Sequence, residues 1–317
     1  MELIKLKETS KHYKNHKVLD KVNLTIKESD FLGIIGRSGS GKTTLLNLLA
    51  GFIEPTNGKV SYISRVDQKE HCLNRNLHKL KKHIGFTPQH NSFHHKLTVK
   101  ENLFHFGKMY NLKRKTLMSN IKSLLEFTRL FEFRNHRADE LSAGMQKRLD
   151  IACAIVHKPK ILFLDEPTAD LDPILRSEIL QMLKAVNQQG VTIVMASHHH
   201  DEVEQNCNKV AIVHNSNVHT HGLMDDIKKP YHRDHFTINV HSKKDKEILI
   251  KNLHHLPMKK MIDHGNKLSI YPTHIEKTMS YLLNVIQKEQ LFLHDLDLRK
   301  VSLTEIFENI TTDNQKL

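Results

Sequence analysis

Residues 36–43, GRSGSGKT, match the pattern G-x-x-x-x-G-K-[ST], in which backbone N–H groups surround a phosphate at the start of a helix. The apolar run FLGIIG (31–36) before it predicts a strand, and the leucine-rich run after it predicts a helix. We expect Lys42 to reach the β and γ phosphates of a nucleotide and the Thr43 hydroxyl to bind Mg²⁺. The residues that this motif predicts to bind the nucleotide are Gly36, Arg37, Ser38, Gly39, Ser40, Gly41, Lys42, Thr43 and Thr44.

A pair of carboxylates follows another apolar run, in the segment KILFLDEP (160–167). Asp165 ends this predicted strand, where a carboxylate is placed to hold Mg²⁺ directly or through water. At the exit of the strand, Asp165 and Glu166 can both turn toward the crevice where α/β sheets bind ligands. Glu166 is then available as a base that polarises an attacking water. The alternative is a pair of solvated acids that cap the following segment.

The chain divides into a large α/β part and a smaller part after it. Apolar spacing between residues 97 and 131 is helical and predicts a helical block within the α/β frame. VTIVMAS and VAIVH predict further strands that are buried on both faces of a parallel sheet. The charged stretch KKPYHRDH (228–235) predicts a domain boundary, and strand and helix patterns alternate beyond it. The predicted domains are 1–228, with a helical subdomain at about 95–158, and 229–317, a small α+β unit.

Composition restricts the class of protein and its partners. The 317 residues carry a formal net charge of +13, which predicts either a solvated basic surface or an anionic partner such as nucleic acid, acidic lipid or a phosphate-bearing ligand. The three cysteines lie far apart, so we expect a reducing cytosol and no disulfide framework. The chain has no long apolar run and no secretory core at its N-terminus, so we do not expect it to cross a membrane alone. Histidine and cysteine cluster in two places, but neither cluster has a regular metal-ligand spacing, so we interpret most of them as surface polar residues. The first cluster is His71, Cys72, His78 and His83, and the second is His198, His199 and His200.

Four segments together resemble the ATP-binding cassette (ABC) ATPases. LSAGMQKR (141–148) resembles the signature of that family, normally LSGGQ, and Ser142 lies 23 positions before Asp165. The phosphate loop, the LDEP segment and SHHHDEVE (197–204) complete the resemblance, which covers roughly residues 1–225. It implies an α/β P-loop NTPase fold, with a nucleotide-binding domain of mixed sheet core and helical subdomain and a small C-terminal α+β domain. It also implies ATP hydrolysis, with ATP and Mg²⁺ as cofactors.

The resemblance assigns roles to single residues in the nucleotide site. Tyr13, in KHYKNHKVL, would stack on adenine, a role that suits a flat aromatic face. Gln89, in GFTPQH, would contact Mg²⁺ and the attacking water and would sense a membrane partner. His198 would contact the γ-phosphate as a switch histidine. Together with Glu166, these residues make up the catalytic set that the resemblance implies.

The resemblance also implies a dimer in which two nucleotide domains pair head to tail. Ser142 and Gly144 of one subunit would close over the ATP that the phosphate loop of the other subunit holds, and Asp172 would cross the interface. Two departures affect this expectation. Ala143 replaces the first signature glycine, and its methyl group could hinder approach to a phosphate and slow catalysis. Met145 replaces the usual glutamine, as is typical of the subfamily that resembles daunorubicin and nodulation-factor exporters.

The leading interpretation is the ATPase subunit of an exporter, peripheral on the cytoplasmic face of the membrane, with a separate multi-span permease as partner and no nucleic acid. Residues His90 to Asn102 would form part of the groove that receives a short helix of the permease. One alternative is a cassette ATPase acting on ribosomes or nucleic acid, favoured by the net charge and by basic clusters at 79–82 and 113–115. Another is a degenerate regulatory subunit, an alternative that Ala143 supports because it replaces a glycine of the signature. The sequence does not identify the transported molecule, the choice of homodimer or heterodimer, or a site in the C-terminal unit.

Overall fold

The computed structural model describes residues 1–14, 16–63, 69–73, 80–229, 235–253, 256–265, 267–299 and 301–313. The chain forms two compact units, Met1–Met224 and Asp225–Leu317. The domain assignment expected from the sequence, with its helical subdomain, stays a prediction. His78, Lys79 and residues 230–234 of the predicted boundary lie outside the described residues.

An antiparallel sheet opens the first unit. Its strands are β1 (Glu2–Tyr13), β2 (His16–Lys27), β4 (Asn57–Ile63) and β5 (Glu70–Cys72), in the order β2-β1-β4-β5. Every second residue of the predicted strand VNLTI is buried, at Val22, Leu24 and Ile26 in β2. One face of the sheet therefore contributes to the core, as expected for antiparallel strands with a solvated opposite face.

A six-stranded sheet forms the centre of the first unit. Its strands are β3 (Phe31–Ile35), β6 (Ile84–Thr87), β7 (Ile161–Asp165), β8 (Thr192–Ser197), β9 (Lys209–His214) and β10 (Asn217–Leu223), in the order β10-β9-β3-β8-β7-β6. β10 is antiparallel to β9, and the other pairs are parallel. All residues of β3, β7 and β8 are buried, because parallel strands of this kind are covered on both faces. The carboxyl ends of β3 and β7 thus meet at one edge, where ligands bind in such sheets.

The first unit also contains helices, some of which form a second core of their own. They are α1 (Lys42–Leu49), α2 (Val99–Met109), α3 (Arg114–Phe127), α4 (Ala143–Ile155), α5 (Pro173–Gln188) and α6 (His200–Asn206). A short helix, α7 (Met224–Lys228), begins at the last residue of this unit. α2 begins with a capping box, in which Thr98 accepts from the Glu101 N–H and the Glu101 carboxylate accepts from Thr98. Apolar residues of α2, α3 and α4, such as Leu103, Leu117 and Leu149, pack into one buried cluster.

The second unit is a four-stranded antiparallel sheet with helices. Its described elements are β11 (His235–Val240), α8 (Lys243–Leu253), β12 (Met258–His264), β13 (Lys267–Pro272), α9 (Ile275–Lys288), β14 (Leu293–Arg299) and α10 (Leu303–Asp313), with strand order β12-β13-β11-β14. Strand β12 was not expected from the sequence. It is an edge strand of mixed polarity, and such a strand gives a weak alternation signal.

Among the described residues, none of the helices combines the length and the apolar character needed to cross a bilayer.

Candidate functional site

The motif GRSGSGKT forms a tight turn between β3 and α1. Gly41 precedes the first helical residue with φ of 104°, and Gly39 has φ of 76°, values that favour glycine. Gly36 has a different reason to be glycine. A Cβ at Gly36 would lie 2.4 Å from the Ser40 Oγ and 2.6 Å from the Val213 carbonyl oxygen. The turn therefore needs these glycines for its shape, and it leads into a helix N-terminus that favours an anion.

A cavity of about 590 Å³ opens above this turn. It brings the loop together with residues from three other segments that the sequence places far apart, at positions 89, 166 and 198. Its volume is within the range of ligand pockets, about 300–1,000 Å³. The residues that line it are Val18, Ser38, Gly39, Gly41, Lys42, Thr43, Thr44, Gln89, Glu166, Ala169 and His198.

Lys42 is held inside the turn by the backbone and by a carboxylate. Its Nζ donates to the Gly36 carbonyl oxygen at 2.9 Å and lies 3.6 Å from Glu166 Oε1. Both side chains are about nine-tenths buried, with 8% and 11% exposed. A buried ammonium beside the loop is suited to bind a phosphate, because burial strengthens charge-assisted hydrogen bonds.

Glu166 leaves strand β7 in an uncommon backbone conformation that turns it into the cavity. Its φ is 51°, in the left-handed region that non-glycine residues rarely adopt. Its N–H donates to the Ala196 carbonyl oxygen at 3.0 Å, which fixes the turn against the neighbouring strand. Its Oε2 lies 2.7 Å from His198 Nδ1. Since a neutral imidazole that donates from Nδ1 keeps an unprotonated Nε2, the pair holds one acceptor nitrogen available beside the carboxylate.

Asp165 precedes Glu166 at the end of β7 and is almost fully buried, with 3% of its surface exposed. Burial raises the pKa of its carboxyl, and a hydrogen bond with Thr43 opposes that rise. Its Oδ1 has no hydrogen-bond partner among the described residues. A buried carboxylate oxygen without a partner, beside the Thr43 hydroxyl, offers the oxygen ligands that Mg²⁺ prefers, and Gln89 lines the same cavity as Thr43. These three residues therefore fit a magnesium site.

The structure does not bring every predicted site residue to this cavity. Ser142 and Asp172 each precede a helix and cap it, at α4 and α5 respectively. Gly144 is buried in the first turn of α4, where an added Cβ would lie 2.8 Å from a methyl group of Leu175. Tyr13 is 48% exposed at the end of β1 and does not line the cavity. Within a single chain, these four residues thus lie outside the cavity, whereas their roles remain predictions.

Two residues that line the cavity, Val18 and Ala169, were not expected from the sequence. Val18 lies in β2, and a Cβ on Gly41 would be 3.2 Å from one of its methyl groups and from its carbonyl oxygen. Ala169 follows the carboxylate pair, in the turn where its N–H donates to the Glu166 carbonyl oxygen. Neither residue has a polar side chain, so no sequence pattern marks it as part of a site.

Comparison with known proteins identifies relatives of the chain. The family described as "ABC transporter" matches residues 19–169. The "Uncharacterized ABC transporter ATP-binding protein YxlF" of Bacillus subtilis (strain 168) is 31% identical over 241 residues, which are 76% of this chain and 78% of that protein. "Daunorubicin resistance ATP-binding protein DrrA3" of Streptomyces coeruleorubidus is 26% identical and is aligned over 97% of this chain and 95% of its own.

Coverage is smaller for another relative, the "Probable multidrug ABC transporter ATP-binding protein YbhF" of Escherichia coli (strain K12). It is 32% identical over 226 residues, and the aligned part spans only 38% of its length. Among solved structures, a dimeric ATP-binding cassette in a post-hydrolysis state, bound to ADP and Pi, is 30% identical with a TM-score of 0.61. That comparison covers 70% of this chain and 99% of the other. The expected α/β nucleotide-binding fold is confirmed, and the chain belongs to the family of ABC transporter ATP-binding proteins.

Proposed function

We propose that the chain is the ATP-hydrolysing subunit of an ABC-2 type exporter and that it powers a separate multi-span permease from the cytoplasmic face of the membrane. The observation that carries this proposal is the convergence of Lys42, Glu166 and His198 at the phosphate loop, with contacts of 3.6 and 2.7 Å to the Glu166 carboxylate. The names of the relatives, which are transporter ATP-binding proteins, support an exporter over an enzyme acting on ribosomes or nucleic acid.

ATP hydrolysis at this site would use the buried charges around the loop. Lys42 and the N–H groups of the turn bind the β and γ phosphates and stabilise the charge that develops on them. Glu166 accepts a proton from the attacking water, whose oxygen bonds to the γ-phosphorus while the bond to the β-γ bridging oxygen breaks. His198 is oriented by Glu166 and, in its doubly protonated form, donates from Nε2 to an oxygen of the γ-phosphate. Thr43, Gln89 and Asp165 would hold Mg²⁺, which when bound neutralises negative charge on the phosphates.

The residues outside the cavity would act on a second subunit. Ser142, Gly144 and Asp172 lie at the starts of α4 and α5, and we assign them to the ATP held by the partner in a homodimer or heterodimer. ATP then closes the dimer because its γ-phosphate offers hydrogen bonds to both subunits, and hydrolysis removes those bonds. Ala143 lies exposed at the first position of α4, so its methyl group leaves the fold intact and affects only approach to the partner.

A cleft of about 590 Å³ beside the segment after Gln89 is the site we assign to the permease. Histidine and lysine side chains lie beside apolar ones there, which suits an amphipathic helix with acidic residues. The net charge of +13 is consistent with work at an anionic membrane surface. The residues that line the cleft are Phe93, His94, His95, Lys96, Leu97 and His105.

The proposal is tested with the purified chain and with Glu166→Gln, which keeps the shape of the side chain but removes the base. We expect hydrolysis to fall by at least about 100-fold, as for loss of a general base. We also expect ATP with Mg²⁺ to shift the variant from monomer to dimer in size exclusion. Lys42→Ala in the same background should remove the shift. If the variant is monomeric with and without ATP, the proposed dimer mechanism is wrong, and if the unaltered chain does not hydrolyse ATP, the regulatory alternative is favoured.

A further inference from the structure

Asp150, on helix α4, is a buried carboxylate that the proposed chemistry does not use. It has no exposed surface, and its Oδ1 accepts two hydrogen bonds from Ser92, one from the backbone N–H at 2.9 Å and one from the hydroxyl at 2.7 Å. Its Oδ2 is buried without a hydrogen-bond partner among the described residues. Burying a carboxylate in this way is costly, and an apolar contact would join the same two segments at lower cost. The two hydrogen bonds from Ser92 make Asp150 a specific link between α4 and the segment that contains Ser92.

The segment that Asp150 holds connects two parts of the proposed machinery. It begins after Gln89, which lines the nucleotide cavity, and it supplies Phe93 to Leu97 to the cleft assigned to the permease. A second contact ties it to α4 as well, because Asn91 Nδ2 donates to Gln146 Oε1 at 3.3 Å. Gln146 Nε2 in turn donates at 3.1 Å to the carbonyl oxygen of Leu141, the residue before Ser142.

On its other side, the same segment is fixed to α2 by the buried Asn102. The Asn102 Oδ1 accepts from the His94 N–H at 2.7 Å, and its Nδ2 lies 3.0 Å from the His94 carbonyl oxygen and 3.2 Å from that of Leu97. The segment is therefore a defined structure between two helices and not a loose connection. A displacement of it must move α4 or break the Ser92 hydrogen bonds to Asp150.

We propose that Asp150 is a positioning residue that makes the segment after Gln89 and the N-terminus of α4 move together. Asp150 lies eight residues after Ser142, or about two helical turns, on a helix stiff enough to transmit a shift. Events at the bound nucleotide or in the permease cleft then reach Ser142, which acts on the nucleotide of the partner. This inference rests on the proposed function, and it deepens it by naming the contact that couples the two sides of one subunit.

The test compares Asp150→Ala with Asn120→Ala in the full chain, each in the Glu166→Gln background. Asn120 is a matched control, since it is also buried and also links two parts of the helical block, by donating to the Val156 carbonyl oxygen at 2.9 Å. Its side-chain hydrogen bond is to Val156 and not to the segment. ATP-dependent dimerisation is measured by analytical ultracentrifugation. Nucleotide binding to the single chain is measured with a fluorescent ATP analogue below the dimerisation concentration. Ser92→Ala, which removes only the hydroxyl bond, serves if Asp150→Ala does not fold.

We expect Asp150→Ala to weaken ATP-dependent dimerisation by about tenfold or more, because it removes both hydrogen bonds that Ser92 donates to a charged group. Binding of the analogue to the single chain should change by less than about twofold, since the loop residues are untouched. Ser92→Ala should give a smaller effect in the same direction. Equal weakening in Asp150→Ala and Asn120→Ala, or parallel loss of dimerisation and analogue binding, would overturn the proposal.

Failure of the proposed function gives a different result. If Glu166→Gln alone does not dimerise with ATP, the dimer mechanism is wrong, and hydrogen–deuterium exchange then tests the coupling within one chain. We expect the ATP analogue to alter exchange at residues 142–149 in the unaltered chain, and not in Asp150→Ala. An equal change in both proteins, or no change at these residues in either, would show that Asp150 does not couple the two regions.

Discussion

His157 provides a prediction about stability and pH, because it is a buried imidazole that stays neutral in the folded chain. Its ring stacks on Tyr110 with centroids 3.5 Å apart and planes 8° from parallel, and only 8% of the residue is exposed. Its Nε2 donates at 3.0 Å to the Ile84 carbonyl oxygen, which leaves Nδ1 buried without a partner among the described residues. A proton on Nδ1 would thus place a charge where no acceptor lies.

The direction of the effect follows from the pKa of His157. Burial lowers that pKa from 6.5 to about 4, and the hydrogen bond to the Ile84 carbonyl opposes the change. As the pH falls, the unfolded chain therefore takes up the proton before the folded chain does. The contribution of the neutral ring to the free energy of unfolding is complete above pH 6.5 and is lost as the pH falls toward 4. A difference of one in pKa corresponds to about 1.36 kcal/mol, so the full loss in the free energy of unfolding is about 3 kcal/mol. About 2 kcal/mol of this is lost by pH 5.

The measurement is urea unfolding of the full chain at about pH 8 and at pH 5, followed by circular dichroism. Other buried groups titrate in the same interval, so the informative quantity is the difference between the unaltered chain and His157→Gln, whose amide can still donate to Ile84. We expect the unaltered chain to lose about 2 kcal/mol more than this variant. His219→Gln, at an exposed position of β10, is the control and should lose as much stability between the two pH values as the unaltered chain. Equal losses in all three proteins would refute the reasoning.

Three further substitutions test single contacts. Gly36→Ala should weaken binding of an ATP analogue by at least about tenfold in equilibrium titration, because its Cβ would lie 2.6 Å from the Val213 backbone oxygen. Unchanged binding would mean that the turn is less rigid than its contacts indicate. Thr98→Ala should cost about 1 kcal/mol in urea unfolding through loss of the α2 cap, and no loss would argue against that cap. Asn102→Leu should cost about 3 kcal/mol in the same assay, because it leaves the His94 N–H unpaired, and a cost near zero would contradict this.

Features set by short-range patterns could be predicted from the sequence. The turn at Gly36–Thr43 and the buried strands β3, β7 and β8 follow from local spacing of glycine and of apolar residues. The meeting of Gln89, Glu166 and His198 came from resemblance to a family, since no local pattern relates residues so far apart. The outward turn of Glu166 was anticipated at the strand exit, but its left-handed backbone was not.

Features that depend on long-range packing could not be predicted. Asp150 and Ser92 are 58 residues apart, and nothing in RLDIACAI distinguishes a buried acid from an exposed one. Val18 reaches the cavity only because two different sheets of the first unit meet there. Strand β12 could not be predicted because it lies at a sheet edge, where charged residues are permitted. These residues weaken the alternation of apolar and polar positions that predicts a strand.

The cap at the start of α5 uses one oxygen of an exposed carboxylate and leaves the other oxygen out of the cap. Oδ1 of Asp172 accepts from the N–H groups of Ile174 and Leu175, at 2.9 and 3.0 Å. Because a carboxylate accepts hydrogen bonds on both oxygens, a donor from the second subunit of the proposed dimer would bind Oδ2 while the cap stays intact. The cap already orders the side chain, so this contact would cost little further side-chain entropy. A contact of this kind forms and breaks without loosening the helix end, which suits an assembly that opens and closes repeatedly.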